Sequence, residues 1–346
     1  MGIDGPFFYA GMDQSGEMST IVNAGVQSVR TLFNWQLIQP YRTFASVPAS
    51  QRGLFVNVGG VPTDFNRPDA FVRLAATHHL SVLPVLQYSP AWNSRDPSNR
   101  ASPPVSNAAF ANFATALVRR YGPKGSFWKA NPGVPRVPIR MWQVWNEPNF
   151  LSFWSTQPFE HSFVKLLAAA HRAIKSADHG AKVVLPGLAN FSWEYLAKIY
   201  KIRGAKKLFD VVAAHPYTAT PQGVVTILGK VRAVMNRFGD RRKPIMATEI
   251  SWPSAKGKAK TAFENATTEA GQAKKVSQAV SLLARNRKRL NLKAFYYYTW
   301  ISNETLPYAR VDSFYFAGLW KYIDNVGPSP KPAYQAFVRA VHGIEH

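Results

Sequence analysis

The chain of 346 residues has no cysteine, which excludes disulfides, thiolate metal sites and a cysteine nucleophile. It is short of acids: 19 Asp and Glu stand against 42 Lys and Arg, a formal charge of +23. No apolar run reaches the roughly 18 residues needed to span a bilayer. The opening MGIDGPFF lacks a charged stretch followed by an apolar one, so no signal peptide is visible. No G-x-G-x-x-G or G-x-x-x-x-G-K-[ST] follows any apolar run, which argues against the common nucleotide folds. H-E-x-x-H and G-x-S-x-G are also missing, so neither a zincin site nor a nucleophile elbow is expected. No catalytic metal and no cofactor are expected.

Apolar residues are plentiful at 46%, which excludes a mainly disordered chain and allows a sizeable core. They recur with a rhythm. Short apolar runs lie at 7–12, 27–33, 81–87, 138–145, 181–188, 209–214, 244–248 and 292–300. Helical spacing fills the gaps, most clearly at 106–120, 157–178, 222–238 and 268–289, and more weakly at 15–25, 67–79, 193–203 and 332–343. Pro158 and Pro332 suit helix starts. Eight strands alternating with eight helices predict an α/β chain, a (β/α)8 TIM barrel in a single domain over 1–346. An open doubly wound sheet is the structural alternative. About 100 residues beyond a minimal barrel would form inserted loops. Candidates are 38–66, with a hairpin near Phe55–Val58, 121–137 and 302–329.

Barrels carry their chemistry where the strands end. Strand four runs into Trp145-Asn146-Glu147-Pro148-Asn149 and strand seven into Thr248-Glu249-Ile250-Ser251-Trp252. Strand six runs into His215-Pro216-Tyr217, strand one ends near Asp13, and Arg30 interrupts strand two. A carboxylate at an apolar strand end loses solvation, so its place needs a reason. A single such Glu is more often a salt-bridge or capping residue. Two of them flanked by tryptophans favour catalysis. Glycosidic-bond cleavage uses such a pair: one acid protonates the leaving oxygen while the other carboxylate attacks or activates water. Arg30 could keep one of the two ionised, or form a structural ion pair. His215 could line the site or be a satisfied core histidine.

The segments VWNEPN (144–149) and ATEISW (247–252) resemble the acid/base and nucleophile strands of the clan A glycoside hydrolases. Their glutamates stand about 100 positions apart, as in that clan. Within it, the pattern is most similar to family 39 and cellulase-like relatives. The departures are Ile250-Ser251 after the second glutamate and the long 38–66 segment. The resemblance implies a retaining hydrolase with Glu147 as acid/base and Glu249 as nucleophile. It implies that Asn146 bonds the sugar 2-hydroxyl and Arg30 the nucleophile. His215 and Tyr217 would line the site, and Trp300 would form an aromatic floor. Desolvation beside Trp145 is expected to raise the Glu147 pKa.

Pyranose faces pack on rings. Trp35, Tyr88, Trp92, Trp252, Tyr298 and Trp300 are candidate sugar-binding aromatics, with core packing the alternative for each. Gln87, Asn93 and Asp13 could add polar contacts, Asp13 equally serving as a loop cap. The expected partner is an oligosaccharide, polysaccharide or glycoside, with no nucleic acid and no membrane span. A catalytically inactive glycan-binding barrel is one alternative and a transglycosylase another. A nucleic-acid binder driven by the charge is a third, but it needs basic residues interleaved with aromatics, which the sequence lacks. Most basic residues, including Arg237, Arg241, Arg242, Arg285, Arg287, Lys288, Arg289 and Lys293, precede or open strands. They are therefore expected opposite the site, where they could meet an anionic surface or keep the chain soluble. Secretion is expected, with any leader lying outside this sequence.

Overall fold

A computed structural model describes residues 1–260 and 263–344. In chain order, the first half contains β1 (Gly2–Asp4), α1 (Gln14–Asn23), β2 (Ser28–Asn34), α2 (Trp35–Ile38), β3 (Val56–Val58), β4 (Val61–Thr63), α3 (Asn66–Thr77), β5 (Ser81–Gln87), α4 (Asn107–Tyr121), α5 (Ser126–Ala130), β6 (Met141–Val144) and α6 (Glu160–Ala177). There follow β7 (Lys182–Val184), β8 (Leu188–Ala189), α7 (Ser192–Lys201), β9 (Val212–His215), α8 (Pro221–Arg237), β10 (Ile245–Ile250), α9 (Glu269–Leu290), β11 (Leu292–Tyr298), β12 (Ile301–Asn303), β13 (Trp320–Ile323), β14 (Gly327–Pro330) and α10 (Pro332–His342).

The large sheet has the hydrogen-bonded order β7-β6-β5-β2-β1-β11-β10-β9-β8. Its registered pairs are parallel, and an isolated parallel bridge joins Val184 of β7 to Val211, the residue before β9. Each of β1, β2, β5, β6, β7, β9, β10 and β11 is followed by at least one helix before the next of the series begins. This is the eightfold β-then-α order expected from the apolar rhythm. One expectation fails. The first strand is Gly2–Asp4, not 7–12. Phe7, Phe8 and Tyr9 look like a strand by composition. The pairing instead falls on three earlier residues, because Ile3 lies against Val29 and Tyr297 in the ladder. Gly2 is needed there: a Cβ would sit 2.3 Å from the Tyr296 ring.

Two compact units make up the chain. The first comprises 1–31, 189–193 and 213–346. Its strand β10 is buried at all six positions, so it reads as a continuous apolar run rather than an alternating one. Helix α8 starts at the Thr220 cap, whose hydroxyl accepts from the Gly223 N–H, with Pro221 in the first turn. Helix α9 starts in the same way at Thr268 and ends at Asn291 in the left-handed region. The 302–329 insertion contributes most of a three-stranded sheet of β12, β13 and β14.

The second unit comprises 32–188 and 194–212. Helix α4 packs on α6; Phe110, Phe113, Leu117 and Tyr121 are buried on α4, and Phe163, Leu167 and Ala170 on α6. The 38–66 insertion forms the expected hairpin, β3 paired antiparallel with β4 across Gly59-Gly60. Pro332 opens α10 as expected, whereas Pro158 lies two residues before α6.

Candidate active site

In the first unit, one carboxylate gathers most of the polar groups. Glu249, one residue before the end of β10, is buried at 8% exposure. The Arg30 guanidinium on β2 donates to Glu249 Oε1 at 2.8 Å through Nη1. The Tyr217 hydroxyl donates to Oε2 at 2.8 Å. His215 Nε2, at the end of β9, lies 3.4 Å from Oε1. Burial pushes the Glu249 carboxyl up. The charges of His215 and Arg30, with the hydrogen bonds from Tyr217 and Arg30, more than offset that and hold it below the ordinary glutamate value. A buried carboxylate kept ionised is the form a nucleophile needs. The structure therefore brings together Arg30, His215, Tyr217 and Glu249, four of the residues singled out from the sequence.

It adds one the sequence reading missed. Asp4 ends β1, is buried, and stands in register with Arg30 on one side and Tyr298 on the other. Arg30 Nη1 donates to Asp4 Oδ2 as well as to Glu249. Burial pushes the Asp4 carboxyl up to about 7, with Arg30 opposing and the Glu249 charge adding to the rise. The two carboxylates together hold the Arg30 proton more firmly than burial loosens it. A signal was available: Asp4 is one of only 19 acids and directly follows an apolar residue. It was hidden because three residues are too short for a periodicity.

In the second unit, Glu147 follows β6 and is buried at 8% exposure. Its backbone is strained: Glu147 has φ +43° and Trp145 φ +68°, a region unusual for bulky residues. Each such residue costs about 1–3 kcal/mol and persists only when its surroundings enforce it. Here they do. The Glu147 N–H donates to the Gly187 carbonyl at 3.1 Å, and the Trp145 N–H to Leu86 at 2.9 Å. The Trp145 indole donates to the Phe153 carbonyl at 2.8 Å. Gln143 Nε2 donates to the Trp145 carbonyl at 3.0 Å and to Asn146 Oδ1 at 3.4 Å. The turn thus fixes where the Asn146 and Glu147 side chains leave the strand.

The aromatic candidates divide. Trp300 is fully buried against Trp320 and Tyr334, and its indole donates to Glu17 Oε2. Trp252 is buried with its indole on the Thr218 carbonyl. Trp35 is buried in stacked contact with Phe113, its indole on Gln39. These three are packing residues in this structure, and Trp300 offers no open face as a sugar floor. Tyr217, Tyr298 and Trp92 are only partly buried and keep accessible surface. Tyr88 is buried beneath the Arg100 guanidinium, 3.8 Å from its ring centre. Asp13 caps α1. Asn93 is occupied by both backbone groups of Ser106. Gln87, at the end of β5, is buried, and its amide nitrogen has no partner among the described residues. A cavity of about 760 Å³ opens beside Trp92, between the β3–β4 turn and the outer face of α4. The 38–66 insertion forms one wall of it.

The (β/α)8 fold is similar to that of several solved glycoside hydrolases. It is similar over 99% of the chain to a family 39 glycoside hydrolase from Bacteroides cellulosilyticus WH2, with a TM-score of 0.71 and 17% identity. It is similar over 98% to a monomeric β-xylosidase from Caulobacter crescentus CB15, with a TM-score of 0.66 and 19% identity. The chain spans 63% and 66% of those two proteins. The GH53 catalytic domain of Ignisphaera aggregans matches over 98% of this chain and 95% of its own, with a TM-score of 0.61 and 19% identity. In sequence, the chain is 31% identical over 88 residues to a β-xylosidase from Geobacillus stearothermophilus, which is 25% of this chain and 17% of the relative. No protein-family model matches the chain.

Proposed function

We propose that the protein is a glycoside hydrolase that cleaves β-type glycosidic bonds with retention of configuration. The observation that carries this reading is Glu249. A buried carboxylate at the C-terminal end of a barrel strand, held ionised by Arg30 and Tyr217, is poised to attack. Glu147, on the strained turn after β6, is the partner acid, and Asn146 beside it bonds the sugar 2-hydroxyl.

The cycle has two displacements. The Glu249 carboxylate bonds to the anomeric carbon as the glycosidic C–O bond breaks, and the Glu147 proton passes to the leaving oxygen. Glu147, now a carboxylate, takes a proton from water. The water oxygen bonds to the anomeric carbon, the ester breaks, and Glu249 is released as carboxylate. This requires the two carboxyl groups to stand about 5–5.5 Å apart when a sugar is bound. The substrate is an oligosaccharide, polysaccharide or glycoside. Relatives named as β-xylosidases make β-xylosides the first substrates to assay. Polysaccharide breakdown by a secreted enzyme is the setting we infer. A transglycosylase would share the first displacement and differ in what attacks the ester.

The test is turnover of an aryl β-glycoside panel by the wild type, Glu147→Gln and Glu249→Gln. Either substitution should lower kcat by at least about a thousandfold, which raises the activation barrier by ~4 kcal/mol. A 2-fluoro glycoside should leave a glycosyl adduct on Glu249, read by peptide mass. Wild-type turnover unchanged in both variants would instead favour a glycan-binding role for this pair.

A further inference from the structure

We propose that Asp4 is a positioning residue for the nucleophile: it shares the Arg30 guanidinium with Glu249, and so governs both where that carboxylate points and how much positive charge it feels. The inference rests on the reading of Glu249 as nucleophile. Its geometric basis is a single nitrogen, Arg30 Nη1, that donates to both Asp4 Oδ2 and Glu249 Oε1. All three side chains are buried, so water does little to screen the exchange. Asp4 is also tied to the end of β11. Its carbonyl accepts from the Thr299 hydroxyl at 2.8 Å and the Trp300 N–H at 3.1 Å. Its position is thus set independently of the guanidinium.

Arg30 supplies one positive charge to two carboxylates. The other titratable groups near Asp4 are His215 from β9 and Tyr296 from β11, whose hydroxyl meets that of Ser28 at 2.9 Å. Of the two carboxyls, Asp4 takes the first proton as pH falls, because burial raises it while the charges and hydrogen bonds around Glu249 lower that group. Protonated Asp4 leaves Arg30 to Glu249 alone. Ionised Asp4 draws the guanidinium toward itself and adds negative charge beside the anomeric carbon. The second state makes Glu249 more basic and stabilises the positive charge that develops on the sugar.

The experiment uses a 2,4-dinitrophenyl β-glycoside, whose leaving group departs without protonation, so that Glu147 drops out of the first step. In the wild type, kcat/KM should rise roughly three- to tenfold as pH passes through neutrality, above a separate acid limb from Glu249. Asp4→Asn keeps the shape but cannot ionise. It should lose the neutral rise, keep the acid limb, and stay at the level the wild type shows near pH 5.5. A purely structural Asp4 would lower the curve equally at every pH. A wild-type profile flat through neutrality overturns the proposal, as does an Asp4→Asn profile that keeps the rise. If Asp4→Asn fails to fold, the wild-type profile still decides. A wild type that turns over no glycoside sinks the hydrolase reading itself, a different result from an active enzyme with a flat profile.

Discussion

Tyr217 offers a direct way to perturb the Glu249 carboxylate. Its hydroxyl donates to Oε2 and is one of the groups that lower the pKa. Tyr217→Phe removes that bond and leaves the ring packed on Phe314. The Glu249 pKa should then rise, moving the acid limb of kcat/KM upward by up to about one pH unit. The stability contribution has a matching sign. A carboxyl depressed in the folded state stabilises above its unfolded pKa and loses that contribution as pH falls through its folded value. The variant should therefore lose less stability on acidification than the wild type, measured by Tm at pH 7 and pH 4. At this scale much of the nucleophile's surroundings was legible. Arg30, His215, Tyr217 and Glu249 each interrupt or end an apolar run, where a polar residue needs an explanation. Asp4 was not legible, because its run is only Gly2–Asp4 and lies ahead of a more aromatic one.

At the scale of elements, Arg232 joins three pieces of chain. It is buried in α8, among Val224, Val225, Leu228, Val231 and Met235. Its guanidinium donates to the carbonyls of Leu290 at 3.0 Å, Arg241 at 3.2 Å and Lys243 at 2.9 Å. These carbonyls lie just before β10 and β11, so one side chain holds the starts of both strands. Arg232→Met keeps most of the apolar stem but leaves the carbonyls without their donor. Chemical denaturation should show a loss of about 2–4 kcal/mol, with little change in KM. The helices were the most legible elements: 106–120 was expected and Asn107–Tyr121 is found, 268–289 was expected and Glu269–Leu290 is found. A 3.6-residue apolar stripe sustained over several turns leaves few other interpretations. The strands were legible by position but less so by boundary, since a run buried on both faces has no alternation to mark its ends.

At the scale of the first unit, the charge has a definite location. Arg237, Arg241, Arg242, Arg285, Arg287, Lys288, Arg289 and Lys293 are all exposed. They gather around the end of α8, the end of α9 and the starts of β10 and β11. The acid within that stretch, Asp240, is buried and bonded to Lys243 at 2.8 Å. Among the described residues none of the eight makes an ion pair. Glu249 lies toward the other end of β10, four residues or ~13 Å along the strand from Ile245. We propose that the eight-residue face meets an anionic surface while the site stays open. Retention on a heparin column should fall steeply with salt. Replacing Arg241, Arg242, Arg287 and Lys288 by Gln should weaken it, with aryl-glycoside kcat changed less than twofold. Equal retention of the variant would assign the charge to solubility alone.

The sequence by itself determined the order of the elements, because periodicity is a local property that each segment carries wherever it packs. It also determined which residues could do chemistry, because ionisable groups at apolar strand ends are costly and this chain has few acids. Tertiary structure decided which groups meet. Asp4 and Glu249 are 245 positions apart in the chain, yet they share one nitrogen of Arg30. It also decided which tryptophans pack and which stay open. Trp35 and Trp92 both follow strands and look alike in sequence, but Trp35 is sealed by Phe110 and Phe113 from α4 while Trp92 remains partly exposed. Burial is set by distant neighbours, and no local pattern encodes them.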